Sequence, residues 1–349
     1  MNTGKYSWLE RTWYGDSPVY WLLLPLTGLF SILSSMRRFF YRVGLLTTQR
    51  VDVPVVVVGN IAVGGTGKTP ITIWLVKELL QRGLKPAIIS RGYRGNVGPF
   101  PWEATEDSDA AVVGDEAVML ARQCECPVIV HPDRVAAARM AIEQGADILV
   151  ADDGLQHYRL HRDVEIAVVD GVRRFGNGTL LPAGPLREAV SRLETADIVM
   201  VHQETEVAAD AWVMQRETDP QPFNFHLEVA AVARLDNTEG RELSDFAGKT
   251  VHAVAGIGRP ERFFRMLEAN GITVYRHPLP DHADIAPDDI HFDDELDVLM
   301  TEKDAVKCQG LDTAKCWHVS VAVDFDDGIA DTIANIVFQR IRNQKAELK

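Results

Sequence analysis

Cysteine is scarce in this chain: four in 349 residues, Cys124, Cys126, Cys308 and Cys316, with no C-x-x-C pair among them. That excludes a disulfide framework and points to reduced thiols in a cytosolic compartment. With no paired Cys/His spacing, a zinc site is disfavoured as well. Basic residues are also in short supply. The 36 Lys and Arg face 50 Asp and Glu, for a net charge of -14, which is not the footprint of a general nucleic-acid binder. Internal repeats and low-complexity tracts are missing. What remains is 46% apolar and 25% charged, an ordinary globular composition that excludes disordered and collagen-like classes. The length suggests about two domains.

The charge is unevenly placed. Residues 1–50 hold six basic residues (Lys5, Arg11, Arg37, Arg38, Arg42, Arg50) and two acidic ones (Glu10, Asp16), a net of +4, so the other 299 residues carry -18. From Ser17 to Met36 there is no charge for 20 residues, about the length a helix needs to cross a bilayer. Pro25, Gly28, Ser31, Ser34 and Ser35 interrupt the run. A cleaved signal peptide is disfavoured, since Glu10 and Asp16 sit in the leader and no small-x-small site closes it. A spanning helix, a helix lying in the membrane interface and a buried helix stay open. Trp13, Tyr14, Tyr20 and Trp21 suit an interface, and Arg37, Arg38 and Arg42 suit anionic headgroups.

After Arg50, short aliphatic runs alternate with helical patterns. The runs are Val53–Val58, Ala87–Ser90, Val128–His131, Ile148–Ala151, Ile166–Asp170, Ile198–His202, Val251–Ala255 and Val298–Thr301. Helical patterns such as Pro70–Arg82 and Arg134–Gln144 lie between them. This predicts βαβ units and a parallel sheet, and the near-continuous valine of the first run predicts a strand buried on both faces. A break at Pro220–Pro222 and a loosely alternating stretch at Phe223–Leu235 divide the chain. The expected domains are a membrane-associated segment (1–48), a core (49–220), an extended linker (221–249) and a smaller C-terminal α/β domain (250–349).

The sharpest motif follows the first strand: Gly59-Asn-Ile-Ala62-Val63-Gly64-Gly65-Thr66-Gly67-Lys68-Thr69-Pro70. A buried strand, a glycine-rich turn, Gly-Lys-Thr and then a helix are the context of a P-loop. Its backbone N–H groups and helix N-terminus surround phosphates. Lys68 would reach the β/γ-phosphates and the Thr69 hydroxyl would sit on Mg²⁺. Ala62 replaces the usual first glycine, while Gly64, Gly65 and Gly67 keep the turn permissive. The predicted fold class is therefore α/β: a P-loop NTPase-like parallel sheet with helices on both faces, plus the second, smaller α/β domain.

Other polar motifs admit two readings each. Asp152-Asp153 ends a hydrophobic strand, as a Walker-B acid beside Mg²⁺ does, although a turn or cap could use it equally. Gly114-Asp115-Glu116 opens a helical run, where acids also serve as dipole and capping residues. His131-Pro132-Asp133-Arg134 follows a strand and could meet a phosphate or sugar, or simply start a helix. Asp281-His282 lies in a loop. Thr301-Glu302-Lys303-Asp304 only faintly resembles the guanine-reading N-K-x-D, since its lysine is misplaced and its asparagine missing.

Taken together, the motifs resemble the tetraacyldisaccharide 4'-kinase family, the lipid A 4'-kinases of Gram-negative bacteria. The matching pieces are G-N-I-A-V-G-G-T-G-K-T-P (59–70), S-R-G-Y-R-G (90–95), G-D-E (114–116), H-P-D-R (131–134), A-D-D-G-L-Q-H (151–157), L-P-A-G-P-L-R-E (181–188) and T-E-K-D-A-V-K (301–307). Ala117 stands where the family often has proline. The resemblance implies ATP and Mg²⁺ as cofactors and transfer of the γ-phosphoryl group to the 4'-hydroxyl of tetraacyldisaccharide 1-phosphate. It also implies a place on the cytoplasmic face of the bacterial inner membrane, the N-terminal segment meeting the membrane surface. Carried over by position, it makes Asp115 the base toward the sugar hydroxyl, with His282 paired to it and Lys68 on the phosphates. Residues 62–69 form the nucleotide loop. Thr69, Glu116, Asp152, Asp153 and Gln156 fall on the metal side, and Arg91, His131 and Arg134 on the lipid's phosphate or sugar. The rival is a membrane-recruited P-loop NTPase switch, which would hydrolyse nucleotide without an acceptor.

Overall fold

The computed structural model describes residues 8–204, 222–236, 238–308 and 310–347. Part of the expected break, Pro220 and Gln221, lies outside these residues. The described chain separates into two compact units that are not consecutive in sequence. One is built from residues 1–89, 133–226 and 325–349, the other from 90–132 and 227–324.

In the first unit the sheet order is 223–226, 198–202, 164–170, 55–59, 148–152, 86–90, with every pairing parallel. Strand Val55–Gly59 lies at the centre, with Val57 opposite both Ala151 and Glu165. All five of its residues are buried, as an aliphatic run covered on both faces requires. Helices Lys68–Gln81, Arg134–Glu143 and Ile329–Glu347 accompany the sheet. The last is tied on by Arg82 Nη1 to Asn335 Oδ1 at 3.3 Å and by Arg340 to Asp197 at 3.2 Å.

The first unit also carries helix Val19–Arg42, the one helix among the described residues long and apolar enough to cross a membrane. One side of it is bonded to the unit. Tyr20 Oη lies 3.3 Å from Thr179 Oγ1, and Thr27 Oγ1 donates to the Leu180 carbonyl and accepts from Ala183 N. Arg37 Nη1 donates to the Gln156 carbonyl and Arg38 pairs with Glu188. These anchors span 18 residues, about 27 Å of helix. On its other side Trp21, Leu22, Leu26, Leu29, Ile32, Leu33 and Phe39 are each 54–78% exposed.

The second unit has its own parallel sheet, ordered 273–278, 250–255, 298–301, 316–324. Residues 227–234 follow next to 316–324, and Gly240–Arg241 pairs antiparallel with Val232–Ala233. Trp317, Phe246 and Phe264 fill its core with no exposed surface. An antiparallel pair, Trp102–Ala104 with Val128–Val130, belongs to this unit as well. The stretch expected to be an extended linker contains strand Phe223–Arg234.

Candidate active site

In the first unit the central strand delivers the glycine-rich loop to the N-terminus of helix Lys68–Gln81. Gly67 precedes the helix at φ 92° and Gly64 has φ 116°, conformations that side chains disfavour. An added Cβ at Gly67 would lie 3.2 Å from Phe225 and 3.3 Å from His202. Asn60 is buried under the turn, where its Nδ2 donates to Gly64 O and Thr66 Oγ1. The 181–188 segment braces the loop from outside: Val63 N donates to Pro185 O, and Arg187 N to Ile61 O.

Beside the loop stand the two strand-end acids, and they differ. Asp152 is 2% exposed, with Oδ1 accepting from the Thr72 hydroxyl at 3.1 Å. Asp153 turns out of the strand at φ 45°. It lies 3.9 Å from Lys68 Nζ, and Arg187 Nη1 reaches both its oxygens at 3.0 Å. Burial pushes the Asp153 carboxyl up, but the Lys68 and Arg187 charges outweigh it and hold the acid at about 2. Gln156 spans to the loop, its Nε2 donating to Asn60 O at 2.9 Å. Arg134 is 3% exposed and lies beneath, with Nη1 donating to the carbonyls of Ile89 and Asp152. Asp133 caps that helix through Val135 N, so this end of H-P-D-R does start a helix.

In the second unit the 90–95 loop and the G-D-E turn meet backbone to backbone. A Cβ at Gly114, which has φ 89°, would lie 2.7 Å from the Tyr93 carbonyl. One at Gly95 would run into the Val112 carbonyl. Only glycine allows this approach, and it sets Asp115 as the first residue of helix Asp115–Gln123. Asp115 is 6% exposed. Its Oδ1 accepts from Glu116 N at 2.9 Å and its Oδ2 lies 2.8 Å from His282 Nδ1. His282 has φ 58°. Its N–H bonds Gly256 O, its carbonyl accepts from Arg94 Nη1, and its ring stands edge-on to Tyr93 at 5.2 Å.

Two lysines complete the cluster. Lys303 Nζ lies 3.0 Å from His282 Nε2 and 3.2 Å from Glu116 Oε1. Lys307 Nζ donates to Asp304 Oδ1 at 2.9 Å and stands 3.8 Å from Asp115 Oδ2. Asp304 is fully buried, its Oδ2 accepting from Gly256 N and from the Thr301 hydroxyl. It is thus a bracket for the 256 turn, and its position does not suit reading a guanine base. Burial raises the Asp115 carboxyl, but the His282 hydrogen bond and the Lys303 and Lys307 charges reverse the effect, and its pKa falls below the usual range.

Of the expected site residues, the first unit gathers loop 62–69, Asp152, Asp153 and Gln156, together with Arg134. The second gathers Asp115, Glu116 and His282, together with Arg91, which is exposed, and His131, whose N–H bonds Ser90 O.

A family model described as tetraacyldisaccharide-1-P 4'-kinase matches residues 19–338. The chain belongs to that family. Relatives named tetraacyldisaccharide 4'-kinase include one from Nitrosococcus oceani, 42% identical over 97% of this chain and 96% of its own. Another, from Aromatoleum aromaticum, is 46% identical over 91% and 96%. A crystal structure of LpxK from Aquifex aeolicus in complex with ATP superposes with a TM-score of 0.78, at 26% identity, over 93% of this chain and 99% of that one.

The sequence alone hid several of the site's polar groups. Arg187, Asn60 and Thr72 in the first unit, and Lys303, Lys307 and Asp304 in the second, were not singled out. A usable signal existed for the lysines: positions 303 and 307 are four apart, the spacing that puts two side chains on one side of a helical turn.

Proposed function

We propose that this protein transfers the γ-phosphoryl group of ATP to the 4'-hydroxyl of tetraacyldisaccharide 1-phosphate, with the nucleotide on the first unit and the hydroxyl's base on the second. The observation that carries this reading is the 2.8 Å contact between Asp115 and His282. An NTPase that only cycles nucleotide needs no such pair, whereas a sugar hydroxyl must give up its proton as it attacks. Asp115 is held ionised and so is ready to accept that proton. Its lowered basicity costs little, because phosphoryl transfer depends mainly on position and charge neutralisation.

Lys68 and the N–H groups of residues 62–69 would hold the phosphates. The loop and the strand end supply hard oxygen donors, namely the Asp152 and Asp153 carboxylates, the Gln156 amide and the Thr69 hydroxyl, with Asp153 3.9 Å from Lys68 Nζ. That set fits Mg²⁺, which prefers oxygen and takes one or two carboxylates plus phosphate and water. Bound there, Mg²⁺ would neutralise charge on the transferring group. Arg134 would act from below by fixing the strand end that carries Asp152. Arg91 and His131 are proposed for the substrate's phosphate or sugar. Glu116 is the family's further metal-side acid, with Oε1 also engaging Lys303.

The N-terminal helix supports an interfacial placement on the cytoplasmic face. Bonded to its unit along about 27 Å, it offers lipid one apolar side only, with Arg37, Arg38 and Arg42 at its end for anionic headgroups. The substrate's acyl chains would then stay in the bilayer.

The test uses γ-labelled ATP, Mg²⁺ and tetraacyldisaccharide 1-phosphate in detergent micelles, beside an acceptor-free control. Label in the lipid, lost in Asp115→Asn with nucleotide binding kept, supports the reading. Free phosphate at equal rates with and without lipid overturns it in favour of an NTPase switch.

A further inference from the structure

Among the described residues the second unit leaves four large apolar side chains exposed: Tyr93, Phe100, Trp102 and Tyr275. Three of the four fall between positions 93 and 102. Phe100 is 76% exposed, Tyr93 54% and Trp102 52%. The stretch Asn96-Val-Gly-Pro-Phe-Pro-Trp102 carries no charge. Gly98 turns the chain at φ 71°, and a Cβ added there would meet nothing within 4 Å, so the tip stands clear of the unit. Its root is held, because Trp102 opens strand Trp102–Ala104 and pairs with Val130. Pro99 and Pro101 flank Phe100. Proline has no N–H and a fixed φ, so the tip has fewer donors to strip of water and less freedom to lose on entering an apolar medium.

We propose that the 97–102 tip is a bilayer-inserting finger of the second unit: Phe100 and Trp102 enter the interface of a phospholipid membrane and, through the glycine-braced 90–95 loop, keep Asp115 near headgroup level. This deepens the kinase reading and rests on it for the reason Asp115 must work beside a lipid surface.

A gathered, exposed apolar surface marks an interaction site, and three features select a bilayer as its occupant. The side chains are aromatic, and Trp and Tyr favour the membrane–water boundary, where one end stays wet. The flanking charge is positive. Arg91 and Arg94 are the only charges between Lys85 and Glu103, in a chain of net charge -14, and arginines beside an apolar tip meet anionic headgroups. Glu103 points to the opposite side of its strand from Trp102, and the acids from Glu106 onward follow beyond the strand. Helix Val19–Arg42 of the first unit has the same make-up, an exposed apolar side with arginines at its end. The third feature is reach. A Cβ at Gly95 would lie 2.9 Å from Gly114 N, so the loop touches the neighbour of Asp115. Five residues lead from there to Phe100, at most about 18 Å of chain. The base and the tip are therefore joined by a short, braced connection, and the substrate's hydroxyl lies just outside the bilayer that holds its acyl chains.

The experiment places an environment-sensitive nitrobenzoxadiazole label on full-length Phe100→Cys, with labelled wild type as the background for native thiols. The probe is a protein-free vesicle of phosphatidylethanolamine and phosphatidylglycerol. On adding vesicles the label should brighten and shift to the blue, and nitroxide lipids labelled near the headgroup should quench it. An emission that stays aqueous, or is untouched by the nitroxide, overturns the proposal, and assigns the tip to some other partner. Steady-state kinetics with substrate in the same vesicles supply the second readout. Phe100→Ser with Trp102→Ser should raise KM for tetraacyldisaccharide 1-phosphate about 10- to 100-fold, the worth of one buried aromatic side chain, with KM for ATP unchanged. Phe100→Leu with Trp102→Leu, which keeps an apolar tip, should restore most of it. A lipid KM equal in the serine variant and the wild type also overturns the proposal. The label reads the tip whether or not lipid is phosphorylated, so failure of the kinase reading would show separately, as absent transfer in the wild type.

Discussion

Each unit holds one partly or wholly buried carboxylate ionised, and the two do so by different means. Asp153 in the first unit is bracketed by charges, Lys68 at 3.9 Å and Arg187 at 3.0 Å. Asp115 in the second is bracketed by a hydrogen bond, His282 at 2.8 Å, with Lys307 further away at 3.8 Å. Two cations, one of them also hydrogen-bonded to the carboxylate, suit a group that meets an ion and a polyphosphate. A directed hydrogen bond suits a group that must meet one proton. Both acids follow a backbone device that favours glycine or tolerates strain: φ 45° at Asp153 itself and φ 89° at Gly114 just before Asp115. Such strain is found where position matters more than stability.

The comparison breaks most visibly under isosteric amides. Asp115→Asn keeps the shape and removes the acceptor charge, and transfer should fall about 10²–10⁴-fold, with nucleotide affinity little changed by calorimetry. Asp153→Asn should instead weaken Mg²⁺-dependent ATP binding in the same titration. Equal effects on affinity from both would erase the distinction.

Next come the two left-handed glycines. Gly114→Ala must place a methyl 2.7 Å from the Tyr93 carbonyl at φ 89°, whereas Gly67→Ala meets only side-chain atoms at 3.2 Å and beyond. The first should cost about 1–3 kcal/mol from the backbone alone, plus the clash, and the second less. Thermal unfolding of the two variants measures the difference.

The acid limb of stability sharpens the contrast further. The carboxyl of Asp153 falls from 3.8 to about 2 on folding. A depressed value means the folded state holds the anion more tightly, so the contribution is complete above 3.8 and is lost as pH falls through about 2. Asp153→Asn should flatten that part of the curve in denaturant titrations at descending pH. The smallest effect is expected of Thr72→Val, which removes one hydrogen bond to Asp152, at about 1 kcal/mol of stability.

Local pattern made the cores of the strands legible. Ile198–His202 and Val298–Thr301 read at their full lengths, and the run Val53–Val58 read as a buried strand, which the structure places at Val55–Gly59, because each is rich in aliphatic residues. Strand Thr273–Pro278 did not, since Thr, Arg and His interrupt a half-exposed edge. Cys316–Asp324 mixes buried and exposed positions and passed unseen as well. The P-loop was plain, as its chemistry is contiguous in sequence. The Asp115–His282 pair spans 167 residues, so no spacing argument reaches it, and only the resemblance joined the two. Lys303 lay in a quoted motif, but that motif was weighed only against a guanine-reading pattern it does not match, and Lys303 was given no role. Contacts such as Arg82 to Asn335, 253 residues apart, are likewise closed to periodicity.

The discontinuity of the first unit has a consequence for biosynthesis. Its stretches 1–89 and 133–226 leave the ribosome well before 325–349. At ordinary elongation rates the gap from 226 to 325 lasts roughly 5–20 s. Throughout that interval the nascent chain exposes the surface that helix Ile329–Glu347 will cover, while its apolar helix Val19–Arg42 is already out. Newly made chains should therefore be most vulnerable to proteases and chaperone capture in that window, and a chain arrested with residue 324 just clear of the ribosome should display a complete second unit and an unfinished first.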